Sequence, residues 1–379
     1  MAQLPPAAPG MAYAEIDTPA LVIDLDAFER NLKRMADAVA KAGVRLRPHA
    51  KTHKSPVIGL KQMALGAVGM CCQKVSEAES MVLGGVPDVY VSNEVVGQRK
   101  LDRLAGLARQ ARVMVAVDNE AAVSALGETA ARHGVELRVL VEINVGANRC
   151  GVEPGEPAVR LAEAVAREKN LKFAGLQAYQ GRAQHLRTIE ERKAAIADAV
   201  ERTGRTVTLL KKAGLPCEVV GGAGTGTYEL ESASGVYNEL QAGSYIFMDA
   251  DYARNKKADG SRFDTFEHAL FVLASVMSTP IPERAVIDGG LKTFSFDAGV
   301  PEVHGLAGAI YERPSDEHGN LNLAACNERP GLGDKILLIP GHCDPTVNLH
   351  DWYIGVRGLG TAAARVESVW PVAARGALF

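Results

Sequence analysis

The stretch VRLRPHAKTHK, residues 44–54, decides the fold. Val44–Lys51 reads as a short strand, and Lys51 stands at its C-terminal end. The same pattern returns along the chain. Apolar or β-branched runs recur at Ala67–Gln73, Asp88–Glu94, Arg112–Asn119, Leu137–Asn144, Leu171–Tyr179, Pro216–Thr225 and Glu239–Asp249. Helical segments such as Lys100–Gln110 and Ala158–Lys169 lie between them. Strands alternating with helices at roughly one βα unit of about 30 residues point to a closed (β/α)8 barrel of the TIM type. An open doubly wound sheet is the alternative. Many of these strands end on polar residues: Lys51, Gln73, Asn93, Asn119, Asn144, Tyr179 and Thr225. A packed core has no need of that, whereas the C-terminal face of a barrel is where active sites form.

Working outward, Thr18–Leu25 reads as a further strand, followed by a helix whose Phe28, Leu32, Met35 and Val39 share one face. Asp26 is placed to cap its start and Gly43 its end. Beyond about residue 265, short strand-like runs alternate with turn-rich stretches, and no long amphipathic helix appears. The expected organisation is therefore an N-terminal segment, 1–26, whose strand joins the β domain; a barrel over 27–264; and a C-terminal β domain over 265–379.

The chain has 379 residues, 47% hydrophobic and 23% charged, which excludes disorder and a disulfide miniprotein. Its 42 Lys and Arg against 45 Asp and Glu give a net charge of −3, not the footprint of a nucleic-acid binder. The six cysteines are scattered without a CxxC pair. Met1–Tyr13 shows neither a charged start nor a long apolar core, and no apolar run approaches the ~20 residues of a membrane span. A reduced, cytoplasmic protein without a membrane partner is the expectation.

Three motifs carry chemistry. In Pro48–Lys54, a lysine at a strand end points into a barrel mouth, where desolvation and nearby cations would lower its pKa enough for Schiff-base formation. A solvated basic loop is the other reading. In Gly221–Thr227 (GGAGTGT), small residues let backbone N–H groups wrap an anion. With the next strand's loop, Gln241–Tyr245, this suits a monophosphate cradle better than a dinucleotide fingerprint, because no good helix follows at once. A tight turn with no ligand remains open. In Pro340–Thr346 (PGHCDPT), His342 and Asp344 are two residues apart and face one way on an extended segment. Imidazole plus carboxylate suits a divalent ion such as Mn²⁺ or Zn²⁺ in a catalytic site that keeps open positions, with structural hydrogen bonding as the alternative.

Taken in order, these motifs resemble the D-threonine aldolase family, within the fold type III pyridoxal-phosphate (PLP) enzymes, whose barrel is alanine-racemase-like. The likeness runs from about Thr18 to the C-terminus through LRPHAKTHK, CCQKVSEAE, NRCGV, GLQAYQG, GAGTG, YNELQAGSYIFMDADY and PGHCDPTVNLHDWYIGVR. The last stretch and YNELQAGSY resemble the 3-hydroxyaspartate aldolases most. Related D-serine dehydratases typically carry Cys where Asp344 stands. The resemblance implies that Lys51 forms the Schiff base with PLP and that Arg149 faces its pyridine nitrogen, with Tyr179 beside the cofactor. It implies that Gly224, Thr225, Gly226, Gly243, Ser244 and Tyr245 bind the cofactor's phosphate end. His342 and Asp344 would hold the metal, Mn²⁺ or Mg²⁺ ahead of Zn²⁺ or Co²⁺. The family's glycine loop often has three Gly in a row, and here Ala223 interrupts it.

The implied activity is a carbon–carbon lyase (aldehyde-lyase) reaction. A D-3-hydroxy amino acid, of the 3-hydroxyaspartate or D-threonine type, is cleaved by retro-aldol chemistry to glycine and glyoxylate or acetaldehyde. His185 and a metal-bound hydroxide are the candidate bases. The alternative is a PLP- and metal-dependent D-3-hydroxy amino acid dehydratase, giving a keto acid and ammonia. A small-molecule substrate and a homodimer complete the expectation.

Overall fold

The computed structural model describes residues 4–379. The first three residues of the expected segment 1–26 thus lie outside the described residues. Seventeen strands form two sheets among the described residues. Eight of them make a parallel sheet: β2 (Arg45–Leu46), β3 (Met70–Cys72), β4 (Asp88–Glu94), β5 (Arg112–Val117), β6 (Leu137–Glu142), β7 (Leu171–Gln177), β8 (Val219–Gly222) and β9 (Glu239–Leu240). Their order is β2-β9-β8-β7-β6-β5-β4-β3, every pair parallel. The two ends meet where the Val68 amide donates to the Leu46 carbonyl and the Cys71 amide to the Pro48 carbonyl, both at 2.9 Å. His49 bridges Cys71 in parallel there, so the sheet curls into a ring.

Alternation explains why these strands are apolar throughout. Tyr90, Met114, Ala116, Leu140, Ala174 and Val219 form a cluster inside the ring. Their neighbours Val89, Val91, Val113, Val115, Val139 and Val141 belong to the larger cluster shared with the surrounding helices. Both faces are buried, so no polar face is needed. The interior turns polar near the mouth: the Gln177 and Gln241 side chains exchange hydrogen bonds of 2.9 and 2.8 Å, and Tyr90 donates to Gln177.

The second sheet is built around β1 (Ala20–Asp24), β10 (Leu270–Ile281), β11 (Arg284–Ile287), β12 (Glu302–His304), β13 (Ile310–Glu312), β14 (Gly319–Asn322), β15 (Lys335–Ile339), β16 (Trp352–Arg357) and β17 (Arg365–Pro371). Its main path runs β13-β14-β11-β10-β1-β16-β17. β1 lies between β10, to which it is antiparallel, and β16, to which it is parallel. The helix Leu25–Ala42 buries Phe28, Leu32, Met35 and Val39 in the cluster that also holds Leu46 and Leu240 of the ring and Tyr353 of β16. Each such side chain stabilises the junction by about 1.5–3 kcal/mol. The helix is capped by Asp24, which accepts from the Asp26 and Ala27 amides, rather than by Asp26. The reason lies across the junction: Asp26 is engaged by Arg357 and by the Gly358 amide.

A set of hydrogen bonds brings the second sheet to the mouth of the ring. The Ala250 amide donates to Pro340 O (3.0 Å) and the Asp251 amide to Gly341 O (3.1 Å). The Cys343 amide donates to Asp249 Oδ2 (3.0 Å), and Tyr353 Oη donates to His53 O (2.7 Å). The segment Gly341–Asp344 is thereby held over the strand ends. Among the described residues, no helix is long and apolar enough to cross a membrane.

Candidate active site

The strand ends converge on a cleft. Of the residues expected at a cofactor site, Lys51, Arg149, Tyr179, Gly224, Thr225, Gly243 and Ser244 line it. The run read as a strand to Lys51 stops at Leu46, and Lys51 sits on the single turn Ala50–Thr52 beyond it. The turn is capped by His49, whose Nδ1 accepts the Lys51 amide. His49 Nε2 then carries the proton and donates to Gln73 Oε1 (3.2 Å). Burial, and then Lys51 beside it, push the His49 pKa down to about 3, so the ring is neutral.

Lys51 Nζ donates to Asp344 Oδ2, joining the barrel lysine to the turn Cys343–Val347. This corrects the expected electrostatics of the lysine. Burial lowers the Lys51 pKa, but the Asp344 carboxylate overrides it and the net shift is upward. Burial likewise raises Asp344, and Lys51 and His342 pull it well below the usual carboxylate range.

The geometry of the HxD motif also differs from expectation. His342 is extended (φ −141°, ψ 124°), but Asp344 lies inside the short helix Cys343–Val347. The two side chains still meet, His342 Nε2 standing 4.0 Å from Asp344 Oδ2. Cys343 between them is buried, its Sγ 3.4 Å from Asp344 Oδ1. An imidazole nitrogen beside a carboxylate oxygen is a donor set that suits a divalent cation.

The phosphate end fits as well. Thr52 Oγ1 and Thr225 Oγ1 are both buried, both without a hydrogen-bond partner, and both belong to cleft-lining residues. Two orphaned hydroxyls beside a glycine loop are what an anion would satisfy. A side chain on Gly243 would come within 2.5 Å of Thr52 Oγ1, and one on Gly224 within 2.5 Å of Gln184, so both positions require glycine. Ala223 takes φ +70°, the left-handed region that favours glycine. Such a residue costs about 1–3 kcal/mol, so the departure from a run of glycines is borne as strain while the loop keeps its path.

Other expected residues lie elsewhere. Tyr245 is turned into the core: its Oη accepts from Gln62 Nε2 (2.9 Å), and its ring packs on Phe266. The Gly226 amide is already taken by Gln184 Oε1 (2.9 Å). A short helix, Tyr228–Ser232, does follow the glycine loop, against expectation, but five residues make only one turn. His185 is 61% exposed on the turn Gly181–His185, and its Nδ1 meets Asp251 Oδ2 at 2.9 Å. Burial raises Asp251, while His185 and Arg187 more than offset it, bringing it down to about 2. Asp251 therefore accepts and His185 Nδ1 donates, so the tautomer of the neutral ring has its lone pair on Nε2.

Sequence reasoning missed Ser92 and Tyr252 on the cleft wall, and gave His49 and Thr52 of the lysine motif no role there. Arg149 stands 5.9 Å over the Tyr179 ring and 4.0 Å from Glu142. Glu142 is pushed up to about 8 by burial and by Glu94. Glu94, Asp118 and Cys150 form a neighbouring half-buried cluster, their ligand atoms within 4.8 Å of one another.

The fold and this mouth define the class: an alanine-racemase-like, fold type III pyridoxal-phosphate enzyme of the lyase type. A family model described as the alanine racemase N-terminal domain matches residues 23–251, and a serine dehydratase domain model matches 269–356. The chain is 49% identical over 378 residues to a 3-hydroxy-D-aspartate aldolase from Paracoccus denitrificans (strain Pd 1222), covering 98% of this chain and 95% of the relative. It is 46% identical over 372 residues to a D-threonine aldolase from Arthrobacter sp., covering 98% and 96%. A crystal structure of D-threonine aldolase from Filomicrobium marinum superposes with a TM-score of 0.95 at 54% identity, with both chains fully covered. A relative described as a dehydratase is more distant, at 30%. The chain belongs to the family of the D-threonine and 3-hydroxy-D-aspartate aldolases.

Proposed function

We propose that this chain cleaves D-3-hydroxy amino acids between Cα and Cβ, giving glycine and an aldehyde, with pyridoxal phosphate on Lys51 and a divalent metal, Mn²⁺ or Mg²⁺, on His342 and Asp344. The observation that carries the reading is the contact of Lys51 with Asp344, which puts the cofactor lysine and a metal-binding carboxylate in one site. When bound, the cofactor takes up the electron pair left on Cα and the metal acidifies the 3-hydroxyl.

The chain's own residues do the rest. Thr52, Thr225 and Ser244 donate to the phosphate, with the backbone at Gly224 and Gly243. Arg149, a guanidinium that only donates, would hydrogen-bond the ring nitrogen without protonating it, which limits side reactions such as transamination. Tyr179 packs beside the ring. His185 Nε2 takes the 3-hydroxyl proton, its ring oriented by Asp251. Lys51 Nζ, once released, returns a proton to Cα.

Asp344 supports cleavage over dehydration, since the resembling dehydratases carry Cys there. Of the candidate substrates, 3-hydroxyaspartate would release glyoxylate and D-threonine would release acetaldehyde. A cytoplasmic homodimer is the accompanying reading, tested by sedimentation. The function itself is tested by incubating the PLP- and Mn²⁺-loaded enzyme with D-threonine and with both 3-hydroxyaspartate diastereomers. Glycine plus aldehyde is expected; ammonia plus a keto acid would replace the reading with a dehydratase.

A further inference from the structure

We propose that Asp297 is the positioning residue that makes His342 a metal ligand. The proposal rests on the reading that His342 and Asp344 hold the divalent ion. His342 Nδ1 lies 2.7 Å from Asp297 Oδ2. A carboxylate only accepts, so Nδ1 carries a proton, and in the neutral ring that binds a metal the lone pair is then on Nε2. Nε2 is the atom that faces Asp344 Oδ2. The hydrogen bond thus fixes both the tautomer and the ring plane that aim nitrogen at the ion, and the negative charge behind the ring raises its basicity.

Asp297 is itself held. Ser295 Oγ donates to its other oxygen, Oδ1, at 2.8 Å. The Ser295 amide donates to Thr346 Oγ1 (3.2 Å), and Thr346 Oγ1 donates to His342 O (2.8 Å). Arg254 Nη1 donates to Ala298 O (2.8 Å), tying the next residue to the mouth of the ring. A side chain on Gly341 would run into the Gly299 carbonyl, so the two loops are in direct backbone contact. The loop Ser295–Gly299 therefore tracks the metal motif at both ends and has one carboxylate aimed at the imidazole.

The experiment is Mn²⁺ titration of the EDTA-stripped, PLP-loaded enzyme, with free Mn²⁺ read by electron paramagnetic resonance. Wild type, Asp297→Ala, Asp297→Asn, Asp297→Glu and His342→Ala are compared. Asp297→Ala is expected to bind Mn²⁺ about 10–100-fold more weakly, with its cofactor absorbance unchanged and with partial rescue in Asp297→Glu. Should the alanine variant not fold, Asp297→Asn carries the same expectation. Mn²⁺ affinity within twofold of wild type in the folded variants, while His342→Ala loses the ion, would overturn the role of Asp297 alone. Equal binding by wild type and His342→Ala would overturn the metal-site reading, and this one with it.

Discussion

Lys51 and Asp344 form an ion pair across 293 positions of sequence, one on the turn after a barrel strand and the other on a turn of the second sheet. Neither domain alone holds both groups. The second sheet is thus part of the chemistry, held in place by Asp249, Ala250 and Asp251 bonding the segment Pro340–Cys343.

Lys51→Ala removes the amine that holds the cofactor. Activity is expected to fall by more than about a thousandfold, and the visible absorption band of the lysine-bound cofactor should vanish. A surviving band would show that another group carries the cofactor.

His185→Ala is expected to lower kcat by about 10²–10⁴-fold with little change in KM. Asp251→Asn should cost less, because the base stays and only its orientation suffers. Steady-state kinetics with D-threonine or 3-hydroxyaspartate reads both.

Asp344→Cys replaces a hard oxygen donor by a soft sulfur. Metal preference is expected to move from Mn²⁺ or Mg²⁺ toward Zn²⁺. Competitive loading followed by elemental analysis decides it; an unchanged preference would place the ion elsewhere.

Thr225→Val keeps the shape of a buried side chain and removes an orphaned hydroxyl. The cofactor-free chain should gain about 1 kcal/mol, because a buried unsatisfied hydroxyl is costly. Cofactor affinity should drop about tenfold, the worth of one hydrogen bond to a charged group. Denaturant melts and cofactor titration measure the opposite signs.

Glu231, next to the glycine loop, accepts from Thr227 Oγ1, while its Oε2 has no partner. Burial pushes its pKa up from 4.5 to about 8. The folded chain therefore holds a proton that the unfolded chain loses above about pH 4.5, so this group's contribution to stability declines from there to about pH 8. Glu231→Gln should remove that decline. Its stability relative to wild type is expected to rise by a few kcal/mol between pH 5 and pH 8, read by urea melts at both ends.

Much of the architecture was legible from local pattern. The order and starts of the eight strands, the apolar face of Leu25–Ala42 and the αL glycine at Gly43 follow from spacing, whereas the runs read to Lys51 and Asp249 stop as strands at Leu46 and Leu240. The cap at Asp24 did not, because Asp26 is drawn away by Arg357, a partner more than three hundred residues distant. The direction of the Tyr245 side chain was likewise not legible. The residue adjoins Gly243 and Ser244 in sequence, yet its side chain turns into the core to meet Gln62. Adjacency along the chain does not set which way a side chain points once the strand has ended.

The sequence by itself determined the alternation of strand and helix, the lysine shortly after the first barrel strand, the glycine loop and the HxD pair. These rest on short-range geometry, on backbone freedom and on the donor chemistry of single side chains. Only the tertiary structure decided what those residues face. It set Asp344 against Lys51, reversing the expected shift of the lysine, and Asp297 behind His342. It also turned Asp251 toward His185 and left two threonine hydroxyls unpaired at the cleft. Electrostatic shifts and hydrogen-bond partners depend on distances through space, and those distances exist only once the ring and the second sheet have closed on one another.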